Sequence, residues 1–144
     1  MIRQATLRDS SVLAELAVML WPHHGIAELK TEIEDALQGD KTAFFLAFDD
    51  GITAGFAQCQ LRFDYVEGTD SSPVGYLEGI YVAEAYRNRG IARSLLHSCE
   101  DWAREKGCSE FASDCELGNT QSCFFHLNAG FQEANRIICF TKKL

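Results

Sequence analysis

The stretch "YVAEAYRNRGIARSLL", residues 81–96, constrains the fold more than any other part of the chain. It begins like the end of a strand, has a polar middle that contains Gly90, and continues as an amphipathic helix. A helix N-terminus has unpaired N–H groups and partial positive charge, so such a junction forms a cradle for an anion. Gly90 permits backbone conformations closed to other residues, and Arg87 and Arg89 add positive charge. The junction predicts pyrophosphate binding; the alternative is an ordinary turn with solvated arginines.

Two common nucleotide-binding patterns are absent from the junction. Neither G-x-x-x-x-G-K-[ST] nor G-x-G-x-x-G occurs, so a nucleoside triphosphatase and a dinucleotide-binding fold are not indicated.

Hydrophobic periodicity and turn residues predict six strands interleaved with four helices along the chain. The predicted strands are residues 2–6, 43–48, 52–63, 74–82, 108–114 and 136–141. The predicted helices run from the Thr6-x-x-Asp9 capping signal to Trp21-Pro22, from about 27 to Gly39, from about 90 to 106, and from 119 to 128. This order is typical of a layered α/β (α+β) domain, with a mixed, mainly antiparallel sheet and helices on both faces. At 144 residues, 47% of them hydrophobic, the chain is expected to form a single domain over residues 1–144.

Composition narrows the possible partners and the compartment. No apolar run is long enough for a membrane helix and no leader pattern opens the chain, so a soluble cytoplasmic protein is expected. A net charge of −8 argues against nucleic acid; it favours a cationic partner, or serves solubility alone. The six cysteines form no C-x-x-C pair or zinc pattern, so free thiols and no metal site are predicted.

Two motifs, in this order, resemble those of the GNAT acyl-CoA-dependent N-acetyltransferases. Residues 87–92, "RNRGIA", resemble the family's R/Q-x-x-G-x-G/A motif, and Asn119 with "FFHLNAGF" resembles its second CoA-contacting segment. The resemblance extends over the whole chain and implies a central sheet of about six to seven strands flanked by about four helices, with acetyl-CoA as the acyl donor.

Further segments resemble the small single-domain aminoglycoside 6′-N-acetyltransferases. These segments are "LWPHH", "DYVEGTDSSPVGYLEGIYV", "ASD" and "LNAGFQEANRI". The resemblance implies acetyl transfer to the 6′-amine of an aminoglycoside, antibiotic resistance, and a homodimer that can exchange its C-terminal strand.

The resemblance also assigns cofactor-binding residues, and most of these roles belong to main-chain atoms. The backbone of Ile80, Tyr81 and Val82 is expected to pair with the pantetheine arm and to offer an N–H to the thioester carbonyl. Asn119 is expected to bond the pantetheine region. The pyrophosphate is expected on the backbone of Arg87, Asn88, Arg89, Gly90, Ile91, Ala92 and Arg93.

The acceptor side, by the same resemblance, comprises Trp21, His24, Tyr65, Glu78 and Asp114. The chemistry agrees, because a polyamine with sugar rings requires carboxylates for its ammonium groups and aromatic faces for stacking. Asn135 stands where related enzymes tend to have an acidic residue, so an ion pair is lost there and the antibiotic range is expected to differ.

Acetyl transfer is expected by direct attack in a ternary complex. The attacking amine must be neutral, and Glu78 is the expected base or orienting group; alternatively Asp114 takes this role and Glu78 only binds. His126 stands where many family members have a tyrosine and is the candidate general acid for the departing thiolate, or else a packed helix residue. An acyl-cysteine at Cys115 or Cys123 is disfavoured, because no adjacent base is visible.

Two other functions fit the same sequence. One is a GNAT enzyme that acts on another amine, such as a polyamine or a protein amine. The other is a non-catalytic acyl-CoA-binding protein, which the acceptor-type residues disfavour.

Overall fold

The computed structural model describes residues 1–144 and contains one five-stranded sheet with four α-helices. The strands are β1 (Ile2–Gln4), β2 (Thr42–Asp49), β3 (Ile52–Arg62), β4 (Val74–Val82) and β5 (Phe111–Ser113). The helices are α1 (Ser10–Leu20), α2 (Ile26–Leu37), α3 (Ile91–Glu105) and α4 (Thr120–Asn128). The strands lie in chain order; β1 to β4 pair antiparallel, and β5 pairs parallel to β4.

Both faces of the sheet are covered by helices, as the interleaved pattern predicted. In β2, Ala43 and Phe45 belong to the core that contains α3, whereas Phe44 and Leu46 pack with α1 and α2. Alternate residues of a strand point to opposite faces, so one apolar strand serves both cores. Complete burial of a side chain such as Phe44 contributes about 2–3 kcal/mol.

Arg3, Thr6 and Asp9 define the start of the first helical segment. The Asp9 carboxylate accepts hydrogen bonds from two Arg3 N–H groups at 2.8 Å each and from the Thr6 backbone N–H at 2.8 Å. These bonds hold the pKa of Asp9 far below its usual range, and the bonds from Arg3 have the largest effect. The predicted capping signal is therefore present, and it is reinforced from β1.

The sheet has fewer strands than expected. Six to seven strands were predicted, but five form, and β5 covers Phe111–Ser113 instead of 108–114. Residues 136–141 form no strand, although their composition is typical of one. A strand requires a neighbouring edge, and no strand of the same chain pairs with this segment, so its side chains stay exposed.

None of the four helices has the length and apolar character needed to cross a membrane.

We predict that Asp9→Asn lowers the free energy of unfolding by about 1–2 kcal/mol at pH 7, because the amide loses the charge-assisted bonds from Arg3 and Thr6. The pKa of Asp9 is lower in the folded state than in the unfolded state. The stabilisation is therefore fully present above the ordinary pKa of an aspartate, about 4, and is lost as the pH falls below it. Urea unfolding at several pH values measures the difference. Asp101→Asn, which breaks an exposed pair with Arg104, is the control and is expected to change little.

Candidate active site

The central feature of the site is the separation of β4 from β5. The two strands pair only from Gly75–Phe111 to Leu77–Ser113, after which β5 ends and β4 continues to Val82. Beyond Leu77, β4 has β3 on one side only, which leaves one edge of its backbone open. A bulge lies at the point of separation, because Gln58 pairs with Gly79 and Cys59 pairs with Leu77, so that Glu78 has no partner in β3.

The open edge of β4 leads directly to the glycine junction. After a 3-10 turn over Glu84–Tyr86, Asn88 and Gly90 adopt positive φ angles of 63° and 79°. The Ser94 N–H donates the first bond of α3 to the Gly90 carbonyl, so the amides of residues 91–93 lie at its open end. No atom lies within 4 Å of a Cβ built on Gly90, which leaves the space in front of the helix free.

The arginines of the junction hold the backbone in place. Arg87 Nε donates to the Val82 carbonyl at 2.8 Å, and Arg89 pairs with Asp49 at 3.0 Å. Arg93 Nη2 donates to the Asn128 carbonyl at 2.7 Å and so links α3 to α4. At this turn the side chains of Arg87, Arg89 and Arg93 are engaged in internal contacts, and the groups left open at the start of α3 are backbone N–H groups.

A cavity of about 230 Å³ opens on the α1/α2 side of the sheet and contains three of the predicted acceptor residues. Trp21, His24 and Glu78 line it, together with Glu32, which the sequence analysis did not identify. Glu32 lies two helical turns after His24, and the carboxylate of the intervening Glu28 accepts a 3.0 Å hydrogen bond from the Nδ1–H of His24. The cavity thus presents two carboxylates, Glu32 and Glu78, within a lining that is otherwise largely apolar and includes the rings of Trp21 and Phe44.

Trp21 reaches the sheet because residue 79 is glycine. A Cβ at Gly79 would lie 2.6 Å from Trp21 Cζ2 and 2.8 Å from Leu20 Cδ2. Trp21 also packs edge-on against Phe56, with ring centroids 6.2 Å apart. The indole therefore packs against Gly79 and Phe56 on the sheet and also lines the cavity.

Glu78 and Asp114 are connected through two side chains. Arg62 donates to both oxygens of Glu78, at 2.8 and 3.1 Å from Nη2, and lies over the Tyr76 ring at 3.4 Å. The Tyr76 hydroxyl donates to Asp114. Burial, and then the bond to Asp114, raise the pKa of Tyr76, so the phenol stays protonated and acts as a donor.

His126 lies beside the end of β5. Its Nδ1 contacts the Ser122 carbonyl at 2.7 Å, which requires Nδ1 to carry a proton, and its Nε2 lies 2.7 Å from Ser113 Oγ. The ring is packed against Phe125 and Phe131. Asn119 caps α4, since its side chain accepts from the Ser122 N–H at 3.0 Å.

Tyr65 and Asn135 lie outside the cavity. Both are exposed; Tyr65 is on the loop between β3 and β4, and Asn135 donates to Glu67 of that loop at 3.0 Å. The loop itself is held by Glu110, whose carboxylate accepts from the Asp70 N–H and from the Ser71 hydroxyl. The structure therefore brings Trp21, His24 and Glu78 together in the cavity, whereas Asp114, Tyr65 and Asn135 lie outside its lining. Asp114 is linked to Glu78 through Tyr76 and Arg62.

The sequence analysis missed Arg62, Glu32 and Ser113. Each contacts or faces a predicted site residue only because separate elements meet in the fold. The spacing of Glu32 from His24 on one helix face was the one available signal.

Comparison with known proteins identifies the class. Residues 10–131 match the model of the acetyltransferase (GNAT) family. The chain belongs to the GNAT family of acetyltransferases.

Relatives and solved structures are similar over nearly the full length. The chain is 43% identical over 128 residues to an aminoglycoside N(6')-acetyltransferase type 1 of Salmonella typhimurium, covering 89% of this chain and 88% of the relative. It is 41% identical over 145 residues to the protein of that name from Stenotrophomonas maltophilia, covering 99% and 93%. Its fold matches AAC(6')-Iy in complex with the bisubstrate analog CoA-S-monomethyl-acetylneamine, with a TM-score of 0.95, 40% identity and coverage of 100% and 98%.

We predict that Gly79→Ala destabilises the protein by about 1–3 kcal/mol, because its methyl group displaces Trp21 and Leu20 from β4. Urea unfolding measures the change. Gly25→Ala is the matched control, since no atom lies within 4 Å of its Cβ position. Equal stability of the two variants would show that Trp21 does not depend on a glycine at 79.

Proposed function

We propose that this protein is an aminoglycoside 6′-N-acetyltransferase that confers antibiotic resistance, and that residues 1–144 act as one acetyltransferase domain. The observation that carries the proposal is the acidic, Trp21-walled cavity at Glu78, beside the open edge of β4. The identity of about 40% to enzymes of that name over nearly the whole chain supports it.

The backbone arrangement fits acetyl-CoA. The open edge of β4 at Ile80–Val82 offers main-chain groups to an extended pantetheine arm. The turn at residues 88–90 leads to the start of α3, where the amides of residues 91–93 precede the first helical hydrogen bond and can receive the pyrophosphate. Asn119 contributes at the start of α4. When bound there, the thioester supplies the acetyl group, and a β4 N–H stabilises negative charge on its carbonyl oxygen.

Recognition of the aminoglycoside rests on charge and stacking. Its ammonium groups pair with Glu78, Glu32 and Asp114, and the Trp21 indole offers a face to a sugar ring or a cation. His24 lines the same cavity, while Tyr65 and Asn135 contact the parts of the substrate that extend toward the loop. The acidic surroundings also steer a polycation to the site.

Glu78 accepts the proton of the attacking amine or orients that amine. It lines the cavity, and the bulge directs it away from the regular ladder at the point where the cleft opens. Asp114 accepts the Tyr76 hydroxyl and does not line this cavity, which favours Glu78 over Asp114 for the contact with the attacking amine.

His126 protonates the departing thiolate. With Nδ1–H bonded to the Ser122 carbonyl, Nε2 faces the Ser113 hydroxyl at the end of β5 and carries a proton for the thiolate only in the imidazolium form of the ring. The bond to the Ser122 carbonyl fixes the tautomer.

The function is tested by CoA release across a panel of amines. We expect turnover with an aminoglycoside that has a 6′-amine, and none with a matched aminoglycoside that has a 6′-hydroxyl. Spermidine and peptides with free N-termini or lysines are the alternatives. Faster turnover of either than of every aminoglycoside would assign the enzyme to another amine, and tight acetyl-CoA binding without turnover would indicate a non-catalytic protein.

We predict that Glu78→Gln lowers kcat by about 100-fold with a 6′-amino aminoglycoside, because the base or orienting group is lost. Asp114→Asn is expected mainly to raise KM. Steady-state kinetics on both variants separates these roles. Full turnover by Glu78→Gln would overturn the assignment of Glu78.

We propose that the protein is a cytoplasmic homodimer in which the C-terminal segment is exchanged. Ile137, Ile138 and Phe140 are 68%, 81% and 90% exposed, which is costly for a single chain in water. The segment is unpaired, and β5 has only β4 beside it. A strand from a second copy would cover both. The six free cysteines are consistent with a reducing compartment.

We predict that Ile138→Asp shifts the protein toward the monomer, because a charge replaces an apolar side chain in the exchanged segment. Light scattering coupled to size-exclusion chromatography measures the mass at several concentrations. Lys143→Asp introduces the same charged side chain in the same segment and is the control, expected to stay dimeric. A monomeric unmodified protein would exclude the exchange.

A further inference from the structure

Arg62, at the end of β3, places a guanidinium directly on the Glu78 carboxylate. Nε and Nη2 lie 3.1 and 2.8 Å from Oε1, and Nη2 lies 3.1 Å from Oε2. The Glu78 side chain is 20% exposed and that of Arg62 is 37% exposed. A multiply bonded pair that is partly withdrawn from solvent has a defined geometry, unlike an isolated surface pair.

The same guanidinium is fixed from its other side. It lies 3.4 Å from the centroid of the Tyr76 ring, and the Tyr76 hydroxyl donates to Asp114. Arg62 and Tyr76 therefore form a bridge between the carboxylates of Glu78 and Asp114. Lysine could replace the charge of Arg62 but not its planar contacts with the ring and with two oxygens.

An acidic site for amines contains a chemical conflict. Carboxylates attract an ammonium group, but they also stabilise its protonated form, which has no lone pair for attack. The titratable side chains around Glu78 come from every surrounding element. They are Arg62 from β3, Tyr76 from β4, Asp114 after β5, His24 and Glu32 from the α2 side, and Asp64 and Tyr65 from the loop next to Arg62.

Arg62 removes this conflict at one carboxylate. An amine hydrogen-bonded to Glu78 lies within about 5 Å of the guanidinium, because both contact the same carboxylate. Glu78 can then hold the amine while its charge is balanced by Arg62. Glu32 and Asp114 have no such cation and remain available for the other ammonium groups of the substrate.

We propose that Arg62 is a positioning residue that orients Glu78 and favours the neutral, nucleophilic form of the acceptor amine bound to it. This role rests on the proposed aminoglycoside acetyltransferase function. It distinguishes Glu78 from the carboxylates that serve only to attract cations.

The test compares Arg62→Gln, Arg62→Lys and the charge-matched control Arg104→Gln, whose side chain pairs with Glu100 and Asp101 on the exposed side of α3. In Arg62→Gln the acceptor ammonium loses a nearby cation, so its deprotonation requires higher pH. We expect the ascending limb of kcat against pH to move up by about one pH unit. Arg62→Lys is expected to keep the wild-type midpoint with a higher KM, and Arg104→Gln to match the wild type.

Calorimetry gives a second readout that does not depend on turnover. Titration of a 6′-amino aminoglycoside in buffers of different ionisation enthalpy counts the protons released on binding. Arg62→Gln is expected to release fewer protons per aminoglycoside than the wild type and Arg104→Gln. Thermal unfolding of each variant separates a folding defect from this effect.

The outcomes separate this role from the proposed function. If the wild type acetylates aminoglycosides but Arg62→Gln keeps its pH midpoint and proton count, Arg62 does not act on the amine and the inference is wrong. The same holds if Arg62→Gln changes KM alone, which would mean that the guanidinium leaves Glu78 when substrate binds. If the wild type binds and acetylates no aminoglycoside, the proposed function fails, and this role fails with it.

Discussion

The separation of β4 from β5 after Leu77 and Ser113 is the constraint on which the rest of the site depends. Had the two strands stayed paired, the backbone of Ile80–Val82 would have no open edge, and the turn at Gly90 would not lie at the end of a cleft. The bulge at Glu78 coincides with the separation and sets this carboxylate apart from the regular ladder. Backbone geometry thus determines where a cofactor arm, a phosphate group and an acceptor can meet.

The two halves of the site differ in the kind of chemical group that they present to a ligand. On the side proposed for the cofactor, the groups left open are main-chain amides, and the arginine side chains are engaged in shaping the turn. On the side proposed for the acceptor, the groups presented to a ligand are side chains from three elements. Their packing is tight, because Trp21 occupies the space that a Cβ on residue 79 would need. If the proposed site is correct, substitutions on the acceptor side change which amine is accepted, whereas the cofactor side tolerates changes in side-chain identity as long as the backbone path is kept.

Local patterns predicted the element order as far as α4, the helix start at Thr6 and Asp9, and the turn with Gly90 before α3, because each depends on residues close in sequence. The predicted strand at residues 136–141 did not form, since strand formation depends on a partner edge that the periodicity of one segment does not describe. Arg62 was missed for a related reason. Its contact with Glu78 spans two strands, and no local spacing encodes it. Tyr65 and Asn135 were placed by resemblance, and both lie on exposed segments beyond the cavity.

The C-terminal segment begins next to the loop between β3 and β4. The Ala134 side chain lies 2.5 Å from the position that a Cβ would take on Gly68, and Asn135 donates to Glu67. If the proposed exchange occurs, a ligand that orders this loop and a second copy that takes up the segment act on the same few residues. Linkage requires that if association alters the affinity for such a ligand, the ligand alters the association constant by the same factor. The antibiotic concentration and the protein concentration would then both shift the same equilibrium between monomer and dimer.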